Sequence, residues 1–301
     1  QFLSERDPML GSRLLISAIL IPTFVGLCVF DHKMGEHALV LLGLCILLAG
    51  RSSYELVLML RHRDLRPHLL LTTVLTVAVV GAGWLGVLND LTGISAIAPV
   101  TLVYSAAILL LFLKGAITFR EPGQSMQTLG SELLVVSYVG ILIAMTVQLR
   151  WVAGAQAGYL ALGSLVVAAK CGDIGAYTLG RLFGKKKMAP HLSPGKTWAG
   201  FGGALLGAGG GAILWLQVAT PRFDSHWSAP AWYWCLVFGV TIGLVGLVGD
   251  LCESLIKRDV GQKDSAALFP GFGGLLDLLD SILYAGPVAY VLWQVLPLKT
   301  W

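Results

Sequence analysis

Long apolar runs that recur along the chain are the feature that most limits its fold. A helix that crosses a bilayer needs about 20 mostly apolar residues, and such runs occupy much of the 301-residue sequence. The chain is 56% hydrophobic and only 13% charged, whereas about a quarter of the residues in soluble domains are charged. The sequence therefore predicts an all-α fold, a polytopic transmembrane helix bundle, and excludes fibrous and disordered proteins.

Nine segments are apolar enough to be predicted as membrane spans. They are 13–31, 36–50, 68–88, 95–113, 132–149, 155–172, 199–219, 231–250 and 277–297. The second and the sixth are short or interrupted. The first is long enough to remain in the membrane, so we do not expect it to be a cleaved signal peptide. Residues 51–67 mix charged and apolar side chains and are predicted to form an amphipathic helix at the interface.

The basic residues orient this bundle. When the N-terminus is placed in the cytoplasm and the spans alternate, 17 of the 21 Lys and Arg residues fall in cytoplasmic segments. The four that fall outside are Lys33, Arg150, Arg222 and Lys299. Because cytoplasmic loops are enriched in Lys and Arg, the sequence predicts an N-in, C-out topology.

Polar residues divide the chain into two parts. Residues 1–150 carry charges mostly at loop ends and are predicted to be an N-terminal transmembrane scaffold. Residues 151–301 contain two polar inserts, 170–198 and 250–281, and are predicted to be the transmembrane region that carries the functional site. Neither the paired broken helices of transporters nor a CxxC pattern is present, so the five cysteines are interpreted as buried apolar residues.

The first insert combines small, hydroxyl and basic residues. Asp173 ends an apolar run, and Ser193-Pro194-Gly195-Lys196-Thr197 offers hydroxyls, an ammonium group and flexible backbone amides. Such a loop suits phosphate oxygens, although Ser193 could instead cap a helix. Lys185 to Lys187 are interpreted as an ordinary basic cytoplasmic loop.

The second insert carries acidic residues at helical spacing. Asp250, Glu253, Ser254 and Lys257 lie on one helical face, and Asp277 and Asp280 are neighbours on the next helix. Carboxylates within membrane segments are costly and usually functional. We therefore predict a metal–phosphate site at these two acidic faces, because Mg²⁺ binds carboxylate oxygens together with substrate phosphates. The alternative is that these acids only form ion pairs with Lys257, Arg258 and Lys263.

At these residues the sequence resembles the CDP-diacylglycerol synthases, also called phosphatidate cytidylyltransferases. The resemblance covers about residues 170–281. The matching positions of its main motif are Ser254, Lys257, Arg258, Lys263, Asp264, Pro270, Gly271, Gly273, Gly274, Asp277 and Asp280. Three positions depart from the family pattern, because Phe272 replaces a histidine, Leu278 an arginine and Ala199 a glutamate.

The resemblance implies transfer of CMP from CTP to phosphatidate, giving CDP-diacylglycerol and pyrophosphate. It implies that CTP, phosphatidate and membrane lipid are the partners, that a homodimer forms, and that no nucleic acid binds. The implied catalytic residues are Asp250, Lys257, Asp264, Asp277 and Asp280. Of these, Asp250, Asp277 and Asp280 are implied to bind Mg²⁺ or another divalent cation. The implied substrate-binding residues are Asp173, Ser193, Lys196, Thr197, Ser254, Arg258, Lys263, Gly273 and Gly274.

Three other functions remain open from the sequence. A related CTP-dependent enzyme could act on a polyprenyl alcohol or an ether lipid. A catalytically silent homologue is favoured by Phe272, Leu278 and Ala199. A transporter or channel could use the membrane aspartates for ions, but the absence of an inverted repeat and the clustering of charge at one face argue against it.

Overall fold

The computed structural model describes residues 8–89, 91, 93–268 and 273–300. Phe272, together with Pro270 and Gly271 of the motif, lies outside these residues. The helices are α1 (Pro8–Met34), α2 (Leu39–Leu60), α3 (Leu69–Leu88), α4 (Ala98–Thr118), α5 (Ser125–Val135), α6 (Leu142–Val147), α7 (Leu149–Val152), α8 (Gly158–Phe183), α9 (Trp198–Phe223), α10 (Trp232–Asp259) and α11 (Leu275–Val295). A π-helical turn, Val136–Ile141, joins α5 to α6, and short 3₁₀ segments occupy Arg61–Arg63 and Gly93–Ile97.

Most of these helices are long enough to cross a bilayer. Within the described residues, eight helical segments have the required length and apolarity, with Ser125–Val152 counted as one segment. The 27-residue helix α1 precedes them. The predicted all-α, polytopic transmembrane bundle is therefore confirmed.

Helix α2 corrects the prediction for residues 36–67. The sequence suggested a short span, 36–50, followed by an interfacial helix, 51–67, but α2 continues without a break to Leu60. The prediction was wrong because three polar side chains of α2, those of Arg51, Ser53 and Glu55, find partners inside the protein. Glu55 is 1% exposed, Arg51 pairs with it at 2.9 Å, and Ser53 donates a hydrogen bond to Thr73 at 2.8 Å.

Several connections meet at one end of the bundle, which we call the polar end. It is formed by residues 61–68, 184–197 and 260–268. Arg63 Nε donates to the carbonyl oxygen of Asp259 at 2.5 Å, and Arg258 Nε donates to that of Leu192 at 3.3 Å. These bonds connect α2, α10 and the α8–α9 connection, so both polar inserts belong to one surface.

Small residues allow the helices that carry these connections to pack closely. Gly203 and Gly207 of α9 are four residues apart and face α8. A Cβ atom on Gly203 would collide with the carbonyl oxygen of Gly175, so the two backbones are in direct contact. On α10, a Cβ atom on Gly249 would lie 3.0 Å from the carbonyl oxygen of Asp280. Such small-residue contacts are typical of helix pairs in membranes.

A two-stranded hairpin separates α8 from α9. Strand β1 (Lys187–Ala189) pairs antiparallel with β2 (Ser193–Thr197), and Lys187 lies opposite Thr197. The Thr197 side chain then accepts a hydrogen bond from the backbone N–H of Gly200 at 3.1 Å and caps α9. The helix cap considered at Ser193 is thus provided by Thr197, and the hairpin fixes Lys196 beside α10.

Candidate active site

A lysine and two carboxylates join α10 to α11 at the centre of the site. Lys257 Nζ donates to Glu253 Oε2 at 2.9 Å and to Asp277 Oδ1 at 2.6 Å. Glu253 and Lys257 are one helical turn apart and share a face of α10, while Asp277 lies in the first turn of α11. Glu253 is fully buried and Lys257 is 9% exposed. Removing one member would leave a buried charge without its partner, which costs several kcal/mol, about 3–5.

Asp277 also holds the start of α11. Its Oδ2 atom accepts hydrogen bonds from the backbone N–H of Gly274 at 2.7 Å and from the hydroxyl of Ser265 at 2.7 Å. Gly273 has φ +87°, and a Cβ atom there would lie 2.6 Å from Asp277 Oδ2. A glycine is required at this position because both the backbone conformation and the close carboxylate exclude a side chain.

Glu55 of α2 is a site residue that the sequence analysis missed. Its carboxylate accepts hydrogen bonds from the backbone N–H groups of Leu275 at 3.1 Å and Leu276 at 3.0 Å. Its Oε2 atom also lies 3.2 Å from the Ser265 hydroxyl, whose single proton is shared with Asp277. A negative charge is favourable at a helix N-terminus, where backbone N–H groups lack partners within the helix. A lone acid in an apolar run is the signal that could have identified Glu55.

The hairpin contributes a cation to the same surface. Lys196 Nζ forms an ion pair with Asp250 Oδ2 of α10. The side chains of Lys196 and Asp250 are 17% and 36% exposed, so this pair is more open to solvent than the one between Lys257 and Glu253. The backbone of Asp280 in α11 lies against Gly249, the residue that precedes Asp250.

A third cation reaches α11 from α8. Lys170 Nζ lies 3.0 Å from Asp173 Oδ2 and 3.1 Å from the carbonyl oxygen of Leu278. The hydroxyl of Ser281 contacts both Lys170 and Asp173 at 3.3 Å. The resembled motif has an arginine where this chain has Leu278, and Lys170 places a positive charge beside that residue from another helix. Sequence reasoning did not select Lys170 because its partner lies 108 residues away.

The remaining predicted residues lie around this centre. Arg258 is exposed and bonds to the carbonyl oxygens of Leu192 and Gln262. Ser254 and Thr197 are buried, while Lys263 and Asp264 are exposed. Ser193 begins β2. Their contacts with substrate stay predictions.

The carboxylates differ in their fitness for a metal ion. Among the described residues, no group of three or more His, Cys, Asp or Glu side chains is arranged to hold one. Both oxygens of Asp277 accept hydrogen bonds from protein groups, so they do not point to a free ligand. Asp250 follows Gly249, whose backbone packs against Asp280, so these two acids fit Mg²⁺ better, since this ion usually takes one or two carboxylates together with substrate phosphates.

The chain is similar in sequence to several known proteins. Relatives named phosphatidate cytidylyltransferase occur in Chlamydia pneumoniae, with 38% identity over 172 residues, 56% of this chain and 54% of that protein. The Mycobacterium leprae protein of the same name is 40% identical over 136 residues, 44% of this chain and 40% of that protein. The Mycobacterium bovis protein is 33% identical over 220 residues, 70% of this chain and 66% of that protein.

The chain spans about half the length of the first two of these relatives. A model described as the cytidylyltransferase family, in contrast, matches residues 11–296. Since this match includes both polar inserts and the spans that carry them, the chain belongs to the cytidylyltransferase family.

Proposed function

We propose that the chain transfers CMP from CTP to phosphatidate, producing CDP-diacylglycerol and pyrophosphate. Family membership and the names of the relatives support this reaction. The observation that carries the proposal is the partly exposed ion pair Lys196–Asp250, near the polar end of membrane-spanning helices. A lipid phosphate and a soluble nucleotide can meet only at such a boundary.

The reaction requires charge neutralisation more than proton transfer. A phosphate oxygen of phosphatidate attacks the α-phosphorus of CTP, the bond between that phosphorus and the oxygen of the β-phosphate breaks, and pyrophosphate leaves. The attacking phosphate is already ionised near pH 7. Two like unit charges 4 Å apart repel by about 4 kcal/mol at an effective dielectric constant near 20, so cations must offset the approach of two anions.

The site residues divide this work. Lys196, partly exposed on the hairpin, and Lys170, partly exposed on α8, are placed to hold phosphate oxygens. Lys257 is buried between Glu253 and Asp277, so its role is to fix α10 against α11. Asp250 and Asp280 would hold Mg²⁺, which would supply further neutralisation of phosphate charge when bound.

The membrane orientation and assembly belong to the same proposal. When the predicted spans alternate across the membrane, 17 of the 21 Lys and Arg residues fall on one side. This excess supports a polar end that faces the cytoplasm and an N-in, C-out topology. The membrane is proposed to be a bacterial inner membrane. A homodimer is proposed from the family resemblance. The predicted division at residue 150 stays a proposal in which Glu55 connects the first part to the second.

A direct assay tests the reaction. The detergent-purified protein is incubated with labelled CTP, phosphatidate and Mg²⁺, and we expect labelled CDP-lipid. Asp250→Asn should lower turnover by about 100-fold or more, because it removes a charge at the reacting phosphates. Asp224→Asn is the matched control, since Asp224 is a partly exposed acid that follows α9 at the opposite end.

The silent homologue is the second candidate. It is favoured by Leu278 and Ala199, which replace polar residues of the motif. Absence of product with every lipid acceptor, from a protein that unfolds cooperatively, would contradict the proposed reaction and support the silent homologue. Product from a polyprenyl alcohol or an ether lipid, but not from phosphatidate, would instead identify a related enzyme.

A further inference from the structure

A run of exposed cations follows α8 at the polar end. Lys185, Lys186 and Lys187 are consecutive and exposed. None of the three forms an ion pair with a described residue. Lys196, on the same hairpin, differs because it pairs with Asp250. The three lysines therefore form a positive surface that the protein itself does not neutralise.

Exposed apolar side chains border these lysines on both sides. Leu182 and Phe183 end α8 and are each 66% exposed, and Trp198 begins α9 and is 52% exposed. Both helices have the length and apolarity of membrane spans. Large apolar side chains at the ends of such spans, tryptophan above all, are typical of the bilayer interface. The lysines are consequently expected at the depth of the lipid headgroups.

The hairpin holds the two kinds of side chain together. Lys187 lies opposite Thr197 in the strand pairing, and the carbonyl oxygen of Lys186 accepts a hydrogen bond from the backbone N–H of Trp198 at 3.1 Å. The edge of the Trp198 ring also packs against Phe201, with ring centroids 5.8 Å apart. The positive charges and the aromatic rings are thus held side by side rather than on a free loop.

We propose that this surface, Lys185–Lys187 with Phe183 and Trp198, binds the anionic headgroups of membrane lipids. Clusters of Lys and Arg directly after a membrane span attract anionic lipids, and here the bordering rings place the cations against the bilayer. A basic loop that only faces solvent would not need exposed apolar side chains beside it, as this one has in Leu182, Phe183 and Trp198. The lipid partner is identified by its negative headgroup charge, whatever its acyl chains.

Native mass spectrometry of the full chain tests this inference. The protein is released from micelles doped with equal amounts of phosphatidylglycerol and phosphatidylcholine, and the bound lipids are counted. We expect a preference for phosphatidylglycerol that falls by about tenfold in the variant Lys185→Gln/Lys186→Gln/Lys187→Gln. The matched control is Lys33→Gln/Arg222→Gln/Lys299→Gln, which removes three exposed cations elsewhere in the chain and should keep the preference.

Measurements at higher salt and with added inorganic phosphate distinguish lipid binding from the binding of a soluble anion. Raising the salt in the micelle solution from about 0.1 M to about 1 M shortens the Debye length from about 10 Å to about 3 Å, so the preference should weaken. Added inorganic phosphate should leave the lipid count unchanged, and displacement of lipid would assign the lysines to a soluble anion instead. An unchanged preference in the triple lysine variant would overturn the inference. The readout involves no turnover, so it does not depend on the proposed reaction.

Discussion

The carboxylate of Glu55 accepts a hydrogen bond at 3.0 Å from the backbone N–H of Leu276, which lies 221 residues further along the chain. The same carboxylate accepts a hydrogen bond from the backbone N–H of Leu275 and lies 3.2 Å from the hydroxyl of Ser265. Glu55 therefore connects α2 to the first turn of α11, the helix that carries Asp277 and Asp280. The first half of the chain supplies part of the site's geometry as well as its surroundings.

Substitution of Glu55 should loosen the start of α11. We expect Glu55→Ala to lower the free energy of unfolding by about 1–3 kcal/mol, because buried N–H groups lose their acceptor. Glu55→Gln keeps an acceptor oxygen and should have a smaller effect. Thermal unfolding in detergent measures both, with Glu121→Ala, an exposed acid before α5, as the control. A Glu55→Ala protein that unfolds at the control's temperature would contradict this role.

Lys257 should be costly to remove alone and less costly to remove with a partner. Lys257→Met leaves Glu253 and Asp277 as buried acids without a cation, and we expect a loss of about 3–5 kcal/mol in the free energy of unfolding. The double variant Glu253→Gln/Lys257→Met removes one of these charges and should recover part of the loss. A double-mutant cycle from denaturant unfolding measures the coupling. Additive effects would show that Glu253 and Lys257 do not stabilise each other.

Helical spacing correctly predicted that Glu253 and Lys257 meet on one face of α10. The face that carries Asp250, Glu253 and Lys257 follows from positions one turn apart on a helix. The ion pair Lys257–Asp277 was weighed as an alternative to metal binding, and the structure contains it. Periodicity identifies which side chains share a face, so contacts within α10 were accessible from the sequence.

Contacts between distant helices were not accessible in the same way. The charges of residues 51–67 fit an interfacial helix as well as a buried one, and only the packing of α11 against α2 decides between them. Lys170 likewise became a site residue through the carbonyl oxygen of Leu278. A single sequence does not state which helix covers a given face, so Glu55 and Lys170 could not be placed before the fold was known.

Two adjacent glycines of α9 should respond in opposite ways to the same substitution. A Cβ atom on Gly203 would collide with the backbone of Gly175 in α8, whereas one on Gly202 meets nothing within 4 Å. We expect Gly203→Ala to separate α8 from α9 and lower the thermal unfolding temperature. Gly202→Ala should leave stability unchanged or raise it by about 0.5–1 kcal/mol, because alanine favours the helix. Equal behaviour of the two variants would contradict the close packing of these helices.

Exchanging the two members of the ion pair Lys196–Asp250 tests whether Lys196 binds phosphate or has only a structural role. We expect Lys196→Met to reduce CDP-lipid formation by about 100-fold or more, because a cation at the phosphates is lost. The exchanged variant Lys196→Asp/Asp250→Lys restores the ion pair but moves each charge to the other element. If the pair served only to attach the hairpin to α10, the exchange would restore both thermal stability and activity. If Lys196 binds phosphate and Asp250 binds a cation, the exchange should restore stability and leave activity low. Measuring the unfolding temperature and the initial rate on the same preparations distinguishes these results.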